Sequence, residues 1–197
     1  MEYFKAFFAV KPSQVRKVVI LSPIVYPKQF EKMSGLKGRQ YKSILGYLIA
    51  DFKAFTYIKT PMTQAAIADL VVLLKKTKCR EVYFIGAVGG LEPGVKIGDI
   101  LVTDRARDVF SFSSMHDETP KRLKSLRGKG VLGIDFETKA FFSAAKKTGL
   151  KALAAYVVTD LPFKKPFYKK KTKREEQRIK DCLAYIVRLL AATAADV

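Results

Sequence analysis

Cysteine is scarce in this chain. Cys79 and Cys182 are its two cysteines in 197 residues, and they have neither metal-ligand nor redox spacing. Reduced thiols, and with them a cytoplasmic location, are the expectation. Long apolar runs are missing as well: the longest are strand-length, which excludes a membrane-spanning helix. No internal repeat and no low-complexity linker divides the sequence, so residues 1–197 read as one domain with its own core. The opening stretch MEYFKAFFAVKPSQ has an acidic second residue and no small-residue cleavage signal. It reads as a first strand rather than a signal peptide. Acids are also in short supply, with 18 Asp and Glu against 37 Lys and Arg, a formal charge of +19. That deficit favours anionic partners such as nucleic acid, an acidic surface or a phosphorylated small molecule, without choosing among them. A solvated basic surface, suited to high internal salt or high temperature, accounts for it equally well.

What is present is a regular alternation. VRKVVILSP is a buried-type strand ended by proline, and ILGYLIA and AFTYIKT read as a hairpin around Asp51. TQAAIADLVVLLKKT has helical periodicity and a basic end, as the helix dipole prefers. REVYFIG and IGDILVTD are strands, joined through the glycine-rich stretch Gly86 to Gly98. From Arg105 to Gly130 the pattern lapses into a polar, basic loop with one short helix expected over Pro120 to Leu126. Strand VLGIDFE, helix TKAFFSAAKKTG, strand KALAAYVVTD, a lysine-rich loop and a final amphipathic helix complete the chain. Strands alternating with helices predict a largely parallel sheet covered on both faces. In such sheets ligands bind beyond the carboxyl ends of strands. That rule selects Gly86 to Gly90, Asp135 to Glu137, and Thr159 to Asp160.

Each of those places has a bland reading. The glycines make tight turns, or they let a ligand lie against the backbone. Glu137 is a favourable charge in the first turn of a helix, or a functional acid. Asp160 is followed by Leu-Pro rather than by a helix, so a capping role explains it less well. A dinucleotide fingerprint does not fit, because Gly-x-x-Gly-Gly lacks the spacing and no ribose-binding acid follows at the usual distance.

The three motifs GAVGGLEPGVKIGDILV, GIDFETKAFF and YVVTDLP, in this order, resemble those of the purine nucleoside phosphorylase and nucleosidase superfamily. The resemblance covers roughly Ala54 to Ala192. It implies an α/β three-layer sandwich with a mostly parallel central mixed sheet, nucleoside phosphorylase-like, and cleavage of an N-glycosidic bond. By resemblance Asp160 is the general acid at the leaving base and Glu137 binds the ribose hydroxyls. A carboxylic acid with a raised pKa suits that task. The ligand surface is implied at Ala87, Val88, Gly89 and Gly90, at Asp135 and Phe136, and at Thr159. The segment TDLPFKKPFYKKKTKREEQR resembles AMP nucleosidase-like members more closely, through Asp160, Pro162, Lys171 and Thr172. Lys171, Thr172 and their basic loop suit a 5′-phosphate.

The sequence departs from the family pattern in informative ways. Ala87 stands where the family has Thr or Ser, Phe136 where it has Met, and Thr159 where it has Ser. The phosphate-binding Gly-Asp-Pro-x-Arg turn is replaced by LSPIVYPKQ, with Lys28 its one cation, and the Gly-Met-Gly turn by TPMTQ. Both changes favour hydrolysis over phosphorolysis, with inorganic phosphate kept as the alternative co-substrate. Phe110 or Phe112 is the candidate for stacking on the base, His116 for contacting the sugar, and Glu31 is a poor match for a water-activating acid. No metal and no organic cofactor is implied. The expected partners are a purine nucleoside or nucleotide and a second copy of the chain, as a homodimer or higher homo-oligomer. A membrane is not expected. Nucleic acid is left open and not favoured, the rival being a degenerate member that binds nucleotide or nucleic acid without catalysis.

Overall fold

The computed structural model describes residues 2–197. Nine strands form one mixed sheet: β1 (Val18–Ser22), β2 (Arg39–Lys42), β3 (Leu48–Asp51), β4 (Phe55–Lys59), β5 (Glu81–Gly90), β6 (Ile100–Thr103), β7 (Val109–Ser111), β8 (Gly133–Asp135) and β9 (Lys151–Asp160). The central pairs β4–β1, β1–β5 and β5–β9 are parallel. The hairpin partners β2–β3 and β3–β4, and the outer pair β6–β9, are antiparallel.

Alternate residues of the central strands enter two different cores, as the two-residue period of a strand requires. Val19, Leu21, Val82, Phe84, Ala154 and Tyr156 face one side, with α3 (Gln64–Leu74) and α5 (Thr138–Thr148). Val18, Ile20, Tyr83, Ile85, Ala155 and Val157 face the other, with α2 (Pro27–Ser34) and α6 (Lys173–Ala195). Helices on both faces of one mixed sheet make the three-layer sandwich expected from the sequence. A third, smaller cluster joins Leu91, Phe112 and Ile134 to α4 (Pro120–Gly128).

Three local expectations need correction. The N-terminal segment is a helix, α1 (Glu2–Phe8), not a strand. Its buried residues Phe4, Phe7 and Phe8 have the i, i+3, i+4 spacing of one helical face, which an apolar run alone conceals. Gly86, Gly89 and Gly90 are not in a turn, because β5 runs straight through them; the turns are at Gly94 and Gly98, both at positive φ. The stretch Arg105–Gly130 holds strand β7 besides the expected helix, which runs Pro120–Gly128 behind a Thr119 cap.

The decisive feature for function is how β5 changes neighbours. On one edge it pairs with β9 from Glu81 to Gly89. On the other edge it pairs with β1 only as far as Phe84, and with β8, antiparallel, only at Gly89 and Gly90. No strand among the described residues is in register with residues 85–88 on that edge. Among the described residues no helix is long and apolar enough to cross a membrane.

Candidate active site

The gap beside β5 opens into a cavity of about 250 Å³. Its floor is Ala87, Val88 and Gly89, and its walls come from three strand ends. The chain leaving β1 supplies Pro23 and Ile24, β8 and the residues after it supply Ile134 to Glu137, and β9 supplies Thr159 and Asp160. Met62, Met115 and Phe167 add apolar surface, and Glu118 adds a further acid. A second, more open space continues from it along Thr63, Gln64, Ser113 and Ser114, sharing Met62, Met115, Phe136 and Glu137.

Asp160 owes its position to an irregularity. The β5–β9 register steps from Val88↔Val158 to Gly89↔Asp160, leaving Thr159 as an extra residue. Such a bulge re-aims the side chains that follow it. Here it brings the Asp160 carboxylate against Gly89: a Cβ on Gly89 would lie 3.2 Å from Asp160 Oδ2. Glycine at this position leaves the room that the carboxylate occupies. Asp160 is 9% exposed. Burial raises its pKa, opposed by the hydrogen bond from Thr159 Oγ1 (3.2 Å) and by the charge of Lys171.

Glu137 precedes α5 at its N-cap position, yet its side chain makes no capping bond. The capping work falls to Asp135. Its carboxylate accepts from Thr138 N at 2.9 Å, from Thr138 Oγ1 at 2.5 Å and from Ser111 Oγ at 2.6 Å. Glu137 is thereby left free to face the cavity, 8% exposed, and burial with the nearby Asp135 charge pushes its pKa up to about 7.

Eight of the eleven positions read from the sequence line this cavity: Ala87, Val88, Gly89, Asp135, Phe136, Glu137, Thr159 and Asp160. Three do not. Gly90 faces away, where a Cβ would lie 2.4 Å from Val95 Cγ1. Thr172 is the N-cap of α6, bonded reciprocally with Glu175. Lys171 lies outside the cavity lining, although its charge reaches Asp160. The expected stacking aromatics are placed elsewhere: Phe112 is fully buried against Phe110, with Arg122 over both rings. Phe136 and Phe167 are the aromatic walls instead. His116 lies outside the lining, and the Glu31 carboxylate, on α2, accepts from Gly38 N in the segment that follows the helix. Sequence reasoning missed Glu118, Met115 and Met62, which sit in irregular segments with no periodic signal.

A family model for the phosphorylase superfamily matches residues 56–117, which include the floor of the cavity and end before Glu137 and Asp160. No curated protein sequence matches the chain. Among solved structures, uridine phosphorylase from Vibrio fischeri superposes with a TM-score of 0.72 at 18% identity, covering 98% of this chain and 97% of that one. AMP nucleosidase from Bacteroides thetaiotaomicron does so at 0.69 and 17%, covering 96% and 97%. A Plasmodium knowlesi homologue of the P. falciparum purine nucleoside phosphorylase gives 0.65 at 16%, covering 93% of each chain. The chain has the nucleoside phosphorylase-like fold, and the superfamily resemblance is borne out over residues 56–117, which hold the first of its three motifs. Its similar structures include both a nucleosidase and phosphorylases.

Proposed function

We propose that the protein is a nucleosidase that hydrolyses the N-glycosidic bond of a purine nucleoside or nucleotide. The observation that carries this reading is the meeting of Asp160 and Glu137, from two strand ends, in one cavity floored by backbone. Asp160, with its pKa raised by burial, holds a proton for the leaving base. Glu137 accepts hydrogen bonds from the sugar hydroxyls. The edge of β5 at residues 87–89 supports the base. As the C1′–N bond breaks, its electron pair goes to the base, which takes the Asp160 proton. Water forms the new C1′–O bond, and the proton it loses restores Asp160. Among the described residues that line either space there is no Lys or Arg, so a phosphate nucleophile would find no cationic clamp in the lining. That supports water as the acceptor.

A second reading, phosphorolysis, has its own support. The open space beside Glu137 contains the Thr63 cap of α3, Gln64 and two serines, and a helix N-terminus with hydroxyls suits an anion. The test is release of free base from adenosine, inosine, guanosine, AMP, uridine and methylthioadenosine, with and without inorganic phosphate. Release without phosphate, lowered about 10²–10⁴-fold in Asp160→Asn, is the expected result. Release only with phosphate makes the protein a phosphorylase. No release from any substrate, with Asp160→Asn behaving like the parent, leaves a binding protein.

A further inference from the structure

The cavity contains one carboxylate that the mechanism above leaves idle. Glu118 ends the turn Met115–Asp117 and lines the same cavity as Asp160. Among the described residues no hydrogen bond or ion pair holds its carboxyl group, whose surroundings are burial and the charge of Asp160. Glu137, by contrast, feels Asp135. Glu137 also borders the second, open space, whereas Glu118 and Asp160 do not, so the cavity has two acidic ends, Glu118 with Asp160 at one and Glu137 at the other. A chain carrying +19 has placed no cation in the lining between them. What binds there has to bring the donors.

On the proposed reading, on which this inference rests, Asp160 addresses the base and Glu137 the sugar. Glu118 then faces the base from the side of Asp160, along the edge carrying the ring nitrogen that takes the proton. The next group on that edge of a purine is the substituent at C6. An amino group offers N–H donors to a carboxylate, whereas a carbonyl offers only lone pairs. A carbonyl there would set its lone pairs against the Glu118 carboxylate and leave it buried by ligand without a partner, which is costly. We infer that Glu118 selects bases with an exocyclic amino group beside the protonated ring nitrogen, so that the substrate class is 6-aminopurine and not 6-oxopurine nucleosides.

Two readouts on the intact protein separate this inference from the hydrolase reading: calorimetric binding of adenine and hypoxanthine, and base release from adenosine and inosine. Adenine and adenosine are expected to be favoured by about tenfold or more. Glu118→Gln, whose amide presents either a donor or an acceptor, is expected to bring both ratios within about threefold without lowering the melting temperature. Equal affinities, a preference for hypoxanthine, or an adenine preference that persists in Glu118→Gln would overturn it. Base release without amino preference removes this inference and leaves the hydrolase standing. Selective adenine binding that Glu118→Gln abolishes, with no base release, does the reverse. If neither base binds and neither nucleoside releases its base, both fall.

Discussion

Glu137 is a carboxyl group that folding makes harder to ionise. Its pKa is pushed up to about 7 from 4.5, so between those values the folded protein keeps a proton that the unfolded chain releases. Stability accordingly falls as pH rises through that window, and the loss is complete above pH 7. The cost is at most about 3 kcal/mol, less whatever solvent at the cavity mouth screens. Glu137→Gln should therefore melt higher than the parent near pH 8 and indistinguishably from it near pH 4.5; a melting series across that range checks it, and a gap independent of pH would refute it. The neighbouring Asp135 shows why two adjacent acids have different duties. Both were legible as candidates at a strand end. Only the packing assigns the capping bonds to Asp135, through Ser111 from another strand, a contact between residues 24 positions apart that no local pattern encodes.

At the scale of elements, strands and helices were readable wherever a period runs unbroken, as in β1, α3, α5, β9 and α6. They were not readable where the period is short or masked: α1 has seven residues, and β7 has three. The glycines of β5 were read as a turn because glycine marks turns in sequence; their actual service is lateral. At Gly86 a Cβ would lie 2.6 Å from the Phe84 ring and 2.8 Å from Tyr156. The start of α6 shows the same limit. Lys171-Thr172 was read as a phosphate contact, and the structure makes Thr172 a capping residue with Glu175 at the third helical position. Thr172→Ala should cost about 1 kcal/mol and lower the melting temperature by about 2–4 °C. A thermal scan decides this, and an unchanged melting point together with weakened AMP binding would restore the phosphate reading.

Across the whole molecule, charge is arranged in opposition: an acidic cavity inside a basic exterior. Between Leu161 and Arg174 there are seven Lys or Arg and no acid, and Phe167 of this segment lines the cavity. The excess of bases was plain from composition, but composition could not reveal that the cavity walls lack them. Surface cations act on a charged substrate at long range and are screened by salt. Between 50 and 500 mM salt, kcat/KM for AMP is expected to fall several-fold while that for adenosine stays within about twofold. Parallel salt profiles for the two would show that the exterior plays no part in capture. A last consequence belongs to the edge of β5, where β1 has ended and β8 has not yet begun. Among the described residues no strand is in register with the alternate peptide groups of residues 85–88 that point toward that edge, so the sheet is unfinished there. Its amides should exchange with heavy water readily in the free protein and slowly once a nucleoside is bound, making the substrate, in effect, a temporary strand.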